Sequence, residues 1–104
     1  MSDTFGSFIL RTRKEKGISQ KDLALRVLRE EDGKPISPQY LNDIERDRRN
    51  PTSDHLIKQF ASVLDLPAEY LFYLAGTFPQ EVRTAGARPE DVVQFFNAFR
   101  KSTR

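Results

Sequence analysis

The sequence predicts an all-α fold. Apolar residues recur at three- and four-residue spacing in successive segments. Those segments open on Ser, Thr or Pro and several close on Gly, the chemistry of helix starts and stops. Nowhere does the chain alternate apolar and polar residues for long enough to make a strand. With 104 residues, 38% apolar and 31% charged, the chain suits a small helical protein with a modest core rather than an obligately disordered one. Cysteine is absent, which excludes disulfides and thiolate metal sites, and His55 is the only histidine, too few for a metal cluster.

The first helix is expected over 4–16. Thr4 or Asp3 caps it, and Phe5, Phe8, Ile9 and Thr12 share a face while Arg11, Arg13, Lys14, Glu15 and Lys16 stay wet. Gly17 stops it. Ser19 caps the second helix, with Asp22 three residues on as the partner of an imperfect capping box. Leu23, Ala24, Val27 and Leu28 form its buried stripe. Residues 29–35 carry no apolar side chain except Pro35, and read as the fraying end of the helix followed by an exposed loop.

Ser37 caps the third helix and Pro38 takes its first position, where a missing N–H costs nothing. Leu41 and Ile44 point inward and the helix ends near Asp47. Asn50-Pro51 makes the turn, and Ser53 caps a fourth helix that runs to about Leu64 with Leu56, Ile57, Phe60, Ala61 and Leu64 apolar. Pro67 opens a fifth helix, in which Tyr70, Leu71 and Leu74 close the core, and Gly76 ends it. Beyond lie a short helix over 79–85 and a last one from Pro89 to about Lys101, with Val92, Val93, Phe95, Phe96 and Phe99 on a broad apolar stripe.

The third helix carries the functional signal. With Leu41 and Ile44 buried, Gln39, Tyr40, Asn42, Asp43 and Arg46 fall on its other faces, the first four as the expected base contacts, and Arg48 and Arg49 follow in the turn. A short capped helix with a polar side and flanking arginines suits the DNA major groove. Gln39 near the leading end, and Asn42 one turn deeper, each carry the donor–acceptor pair that matches adenine, while Asp43 accepts from cytosine and repels wrong sequences. Gln20 and Ser37, at helix N-termini, are expected on phosphate, together with Arg46, Arg48, Arg49 and Asn50. Taken singly, Ser19 and Ser37 are ordinary caps, and Gln39, Asn42, Arg48 and Arg49 ordinary wetted residues. Glu45 reads as structural, paired with a base such as Arg13. The ordered combination points to DNA.

Charge agrees weakly. The net charge is +2, and the excess of Lys and Arg over Asp and Glu lies entirely before residue 53. No apolar run is long enough to span a bilayer and no secretory signal is apparent, so the cytoplasm is expected. No nucleophile–base set, phosphate loop or metal motif is present, and an enzyme is not expected.

From about Phe5 to Gly76 the chain resembles the Cro/C1-type helix-turn-helix family, also called Xre-like regulators. The resemblance rests on Arg13-Lys14-Glu15-Lys16-Gly17-Ile18-Ser19-Gln20, Leu23-Ala24, Ile36-Ser37 with Tyr40-Leu41-Asn42-Asp43-Ile44-Glu45, Arg49-Asn50-Pro51-Thr52, and Ala61, Leu64 and Leu66. It implies a five-helix, lambda-repressor-like DNA-binding domain over 1–76, with residues 77–104 as a C-terminal helical extension. It further implies a transcriptional regulator, most often a repressor, that needs no cofactor and works as a homodimer on a palindromic double-stranded operator. Gln20 then holds a phosphate, while Pro38, Gln39, Asn42 and Asp43 face the groove. Three departures stand out: the inserted stretch 29–35, which is open to DNA or a protein partner; Pro38 where many relatives place a polar reader; and Asp47 where glycine is usual, a substitution that aspartate's tolerance of left-handed backbone permits. Val92, Phe95, Phe96 and Phe99 are the expected dimerisation surface, with folding back onto the same domain as the alternative. The rival function is that of a protein-interaction module, antitoxin-like or adaptor, built on the same fold.

Overall fold

A computed structural model describes residues 3–51 and 53–102; Thr52 of the 49–52 motif lies outside the described residues. Within them the chain forms seven helices: α1 Phe5–Glu15, α2 Gln20–Arg26, α3 Pro38–Glu45, α4 Asp54–Leu64, α5 Ala68–Ala75, α6 Gln80–Arg83 and α7 Pro89–Ser102.

The helix starts follow the local chemistry. Thr4 Oγ1 accepts from the Ser7 N–H at 3.0 Å and Ser7 Oγ accepts from the Thr4 N–H at 2.9 Å, a reciprocal capping box. Ser19, Ser37 and Ser53 accept from the N–H groups of Asp22, Tyr40 and Leu56, each satisfying a donor that the helix cannot. Asp47 ends the α3 turn at φ +61°, so aspartate does take the left-handed role usually given to glycine.

The core joins α1 to α5: Phe5 and Ile9 from α1, Leu23 and Ala24 from α2, Leu41 and Ile44 from α3, Leu56, Ile57, Phe60, Ala61 and Leu64 from α4, and Leu71 and Phe72 from α5. Phe5 meets Phe60 edge-on at 5.8 Å. α3 packs against both α1 and α2. The crossing with α1 is close because Gly6 has no side chain: a Cβ there would stand 2.1 Å from the Ile44 carbonyl oxygen.

Three expectations need correction. Arg13 is not wet; it is 8% exposed, because α1 turns it toward Glu45 of α3. Leu28 is not in the core stripe but 37% exposed, because α2 stops at Arg26. Tyr70 is 39% exposed, and Phe72 fills the core position instead.

The stretch after α2 is a small closed hairpin rather than a frayed helix end. Leu28 and Pro35 form an antiparallel bridge, Ile36 N–H donates to the Val27 carbonyl at 2.9 Å, and Arg29 N–H donates to Lys34 at 2.8 Å. Gly33 takes φ +68° at the tip. The hairpin is moored to α4: Leu28 N–H donates to Gln59 Oε1, and His55 Nε2 donates to the Leu28 carbonyl, both at 3.0 Å.

Among the described side chains, α6 and α7 add none that is buried. Asp54 holds α6 through the Gln80 N–H at 2.7 Å and Arg83 at 3.2 Å. α7 lies against α5 and the following segment through Tyr73–Phe99 at 5.5 Å and Phe78–Phe95 at 6.1 Å. Its aromatic face stays substantially exposed, Phe95 at 54%.

Candidate nucleic-acid interface

Fully buried Leu41 and Ile44 anchor α3, and this fixes which side chains its outer face presents. Gln39 is exposed near the leading end, Asn42 and Asp43 are half-buried one turn on, and Arg46, Arg48, Arg49 and Asn50 are exposed beyond. The described contacts of α6 and α7 fall on α4, α5 and the 76–79 segment, not on this face.

The outer face is internally bonded. Gln39 Nε2 donates to Asp43 Oδ1 at 3.1 Å. Arg48 Nε and Nη2 reach the same oxygen at 3.1 and 3.0 Å, and Arg49 Nε lies 3.7 Å from Oδ2. Two guanidinium groups therefore offset the Asp43 charge that would otherwise repel phosphate. Arg49 also stands over the Tyr40 ring at 5.7 Å. Tyr40 departs from its expected presentation to bases: the residue is half-buried, and its hydroxyl is buried with no hydrogen-bond partner among the described residues.

Behind this face lies a polar network. Arg13 grips Glu45 in bidentate fashion, Nε to Oε2 at 2.7 Å and Nη2 to Oε1 at 3.1 Å, and its Nη1 donates to the Ile18 carbonyl at 3.0 Å. Glu45 is 4% exposed, so the pair is almost wholly shielded from water. Gln20 Nε2 donates both to Glu45 Oε1 at 2.9 Å and to Asn42 Oδ1 at 3.2 Å. Arg46 Nε approaches the same Asn42 oxygen at 3.4 Å. These residues, with Leu10 and Lys14, line an open depression of about 340 Å³.

The network qualifies two expected phosphate contacts. Both N–H groups of the Gln20 amide are engaged, so what α2 offers outward there is its first-turn backbone N–H groups, which have no intrahelical acceptor. Ser37 Oγ likewise accepts from Tyr40 N–H, leaving its hydroxyl proton to donate. Lys14, which its place in the first helix marks only as wet, stands on the rim beside Gln20 and Arg46. No local signal gives it that place; the α1–α3 crossing does.

A helix-turn-helix family model matches residues 9–71. Among solved structures, the chain is similar to one described as "SinR protein/SinI protein complex", at a TM-score of 0.54 and 24% identity, over 96% of this chain and 100% of that one. Likeness at that identity shows the fold alone. No curated protein matches the chain.

Proposed function

The chain belongs to the Cro/C1-type helix-turn-helix family, and on that premise we propose that it is a sequence-specific transcriptional regulator, acting as a repressor by occupying double-stranded DNA. The family supports a DNA-binding regulator; the absence of enzyme activity, the repressor role, the operator and the residue assignments are our reading. One observation carries it. α3 is pinned by Leu41 and Ile44 while Gln39, Asn42 and Asp43 lie on its outer side, flanked by Arg46, Arg48 and Arg49. Gln39 and Asn42 are the base readers, with Asp43 selecting against wrong sequences. The arginines, Asn50, Ser37 and the α2 N-terminus hold phosphate. A second copy joined through Val92, Phe95, Phe96 and Phe99 sets two such helices about one DNA turn apart, roughly 34 Å, on a palindromic site. A cytoplasmic location fits this role; no described helix is long and apolar enough to cross a membrane.

Selection from a pool of random duplexes tests the reading. The wild type enriches a defined motif, and Gln39→Ala and Asn42→Ala each erase preference at one or two positions while circular dichroism shows the fold intact. Undiminished selection by both variants removes them from base reading.

The rival reading, a module that holds a protein partner, draws on the moored 28–35 hairpin and the exposed aromatic face of α7. It gains only if no duplex motif is enriched.

A further inference from the structure

We propose that Gln20 acts as a positioning residue that locks Asn42 into presenting only hydrogen-bond donors to the groove, so that the base pair it reads is G·C and not A·T. The inference rests on the reading of α3 as the base-contacting helix. It runs against the usual expectation for asparagine, whose paired acceptor and donor match adenine N6 and N7.

The argument follows hydrogen-bond polarity outward from a fixed point. Arg13 can only donate, and the Glu45 carboxylate paired with it can only accept. The end of Gln20 that lies 2.9 Å from Glu45 Oε1 is therefore its NH₂ group. The same nitrogen lies 3.2 Å from the Asn42 side chain, so the atom it meets there is the carbonyl oxygen. Arg46 Nε, a second group with no acceptor capacity, approaches that oxygen at 3.4 Å. Flipping the Asn42 amide would set its N–H groups against two donors and lose both bonds. The polarity of the buried ion pair is thus passed along the chain Arg13, Glu45, Gln20, Asn42 to the helix surface.

With both lone pairs of Oδ1 occupied, Asn42 has no acceptor left for adenine N6. What remains is Nδ2 with its two hydrogens. Guanine presents two adjacent acceptors, O6 and N7, to such a group. An A·T pair also offers acceptors, adenine N7 and thymine O4, but they flank the adenine N6 amino group, a donor that Asn42 can no longer match, and cytosine presents only a donor. Gln39 differs, since its Nε2 is turned to Asp43 and its carbonyl is left open.

The test compares full-length wild type, Asn42→Ala and Gln20→Ala in duplex selection, with melting curves to verify folding. The position read by Asn42 is the one whose preference collapses in Asn42→Ala. Wild type selects G·C there, and duplexes differing only at that pair favour G·C over A·T by on the order of tenfold. This comparison needs only Asn42→Ala, a substitution of a half-buried surface residue, to fold, and does not depend on Gln20→Ala. Gln20→Ala frees the amide and admits A·T at that position alone. A role limited to phosphate binding or stability would instead weaken all sequences together. Wild-type selection of A·T at that position, an unchanged preference in folded Gln20→Ala, or no position sensitive to Asn42→Ala overturns the inference while leaving DNA binding intact. Absence of any enriched motif overturns the base-reading proposal itself, and this inference with it.

Discussion

The Asp47 carboxylate, just past the end of α3, accepts a hydrogen bond at 3.1 Å from the backbone N–H of Gly6 in the first turn of α1. Its second oxygen takes the Thr4 hydroxyl at 2.6 Å. One residue therefore closes α3 and caps α1, and the two backbones touch where Gly6 allows it. Gly6→Ala would place a carbon 2.1 Å from Ile44 O and 2.9 Å from Glu45 O, both backbone atoms with little room to yield. We expect a loss of about 1–3 kcal/mol in urea unfolding, as for other overpacked sites. An unchanged midpoint would mean that the helices do not approach so closely.

The Arg13–Glu45 pair should behave as a buried ion pair. Arg13→Met or Glu45→Leu alone leaves a shielded charge without its partner, at a cost of about 3–5 kcal/mol each. The double variant should cost far less than the sum, and a double-mutant cycle measures the coupling. Additive losses would show that the two charges do not depend on each other.

Arg48→Ala and Arg49→Ala should weaken binding to every duplex alike and each lower the salt dependence by about one unit of slope. Asp43 holds both arginines, so Asp43→Asn should tighten binding to random duplex at low salt. Weakening confined to one sequence would reassign the arginine concerned to base reading.

Asp32 supplies a pH dependence. The Lys34 N–H, then Arg29, hold its carboxyl below the ordinary aspartate value. A depressed folded value means the contribution is complete above the unfolded pKa and fades as pH falls through the folded one. The side chain is exposed, so the effect is local. In an NMR titration Asp32 should ionise at lower pH than it does in a short peptide, and Asp32→Asn should loosen the hairpin amides without changing global stability. Coincident titration in protein and peptide would contradict this.

Phe95→Ser and Phe96→Ser alter largely exposed rings on α7, outside the α1–α5 core, and should leave the helical content of that core unchanged in circular dichroism. If α7 joins two copies, sedimentation of these variants will report monomers where the wild type reports dimers. Dimers that persist would move the contact elsewhere.

Much of this arrangement could be read from the chain because it is written locally. Ser37, Pro38 and the Leu41–Ile44 spacing specify a short capped helix and its buried side without reference to distant residues, and Asp47 is one of few residues that accepts the backbone it needs. What escaped depends on contacts far apart in sequence. Arg13 looks wet in a charged run; Glu45 could be matched to it as a partner, but only the α1–α3 crossing shows that the pair is buried. The 29–35 stretch looks like an open loop because Gln59 and His55, which moor it, lie on α4. Gly6 carries no periodic signal at all. The donor engagement of Gln20 was equally hidden, since a glutamine at a helix start does not say which of its ends faces inward.

The run of rings from Phe8 through Tyr70 and Tyr73 to Phe99 links the first helix to the last. The protein has no tryptophan and only three tyrosines. Two of its three tyrosines therefore sit at the junction where the C-terminal helix meets the body. Native fluorescence becomes a label-free gauge of that junction: lifting α7 away, or seating another surface in its place, would register in the emission of Tyr70 and Tyr73.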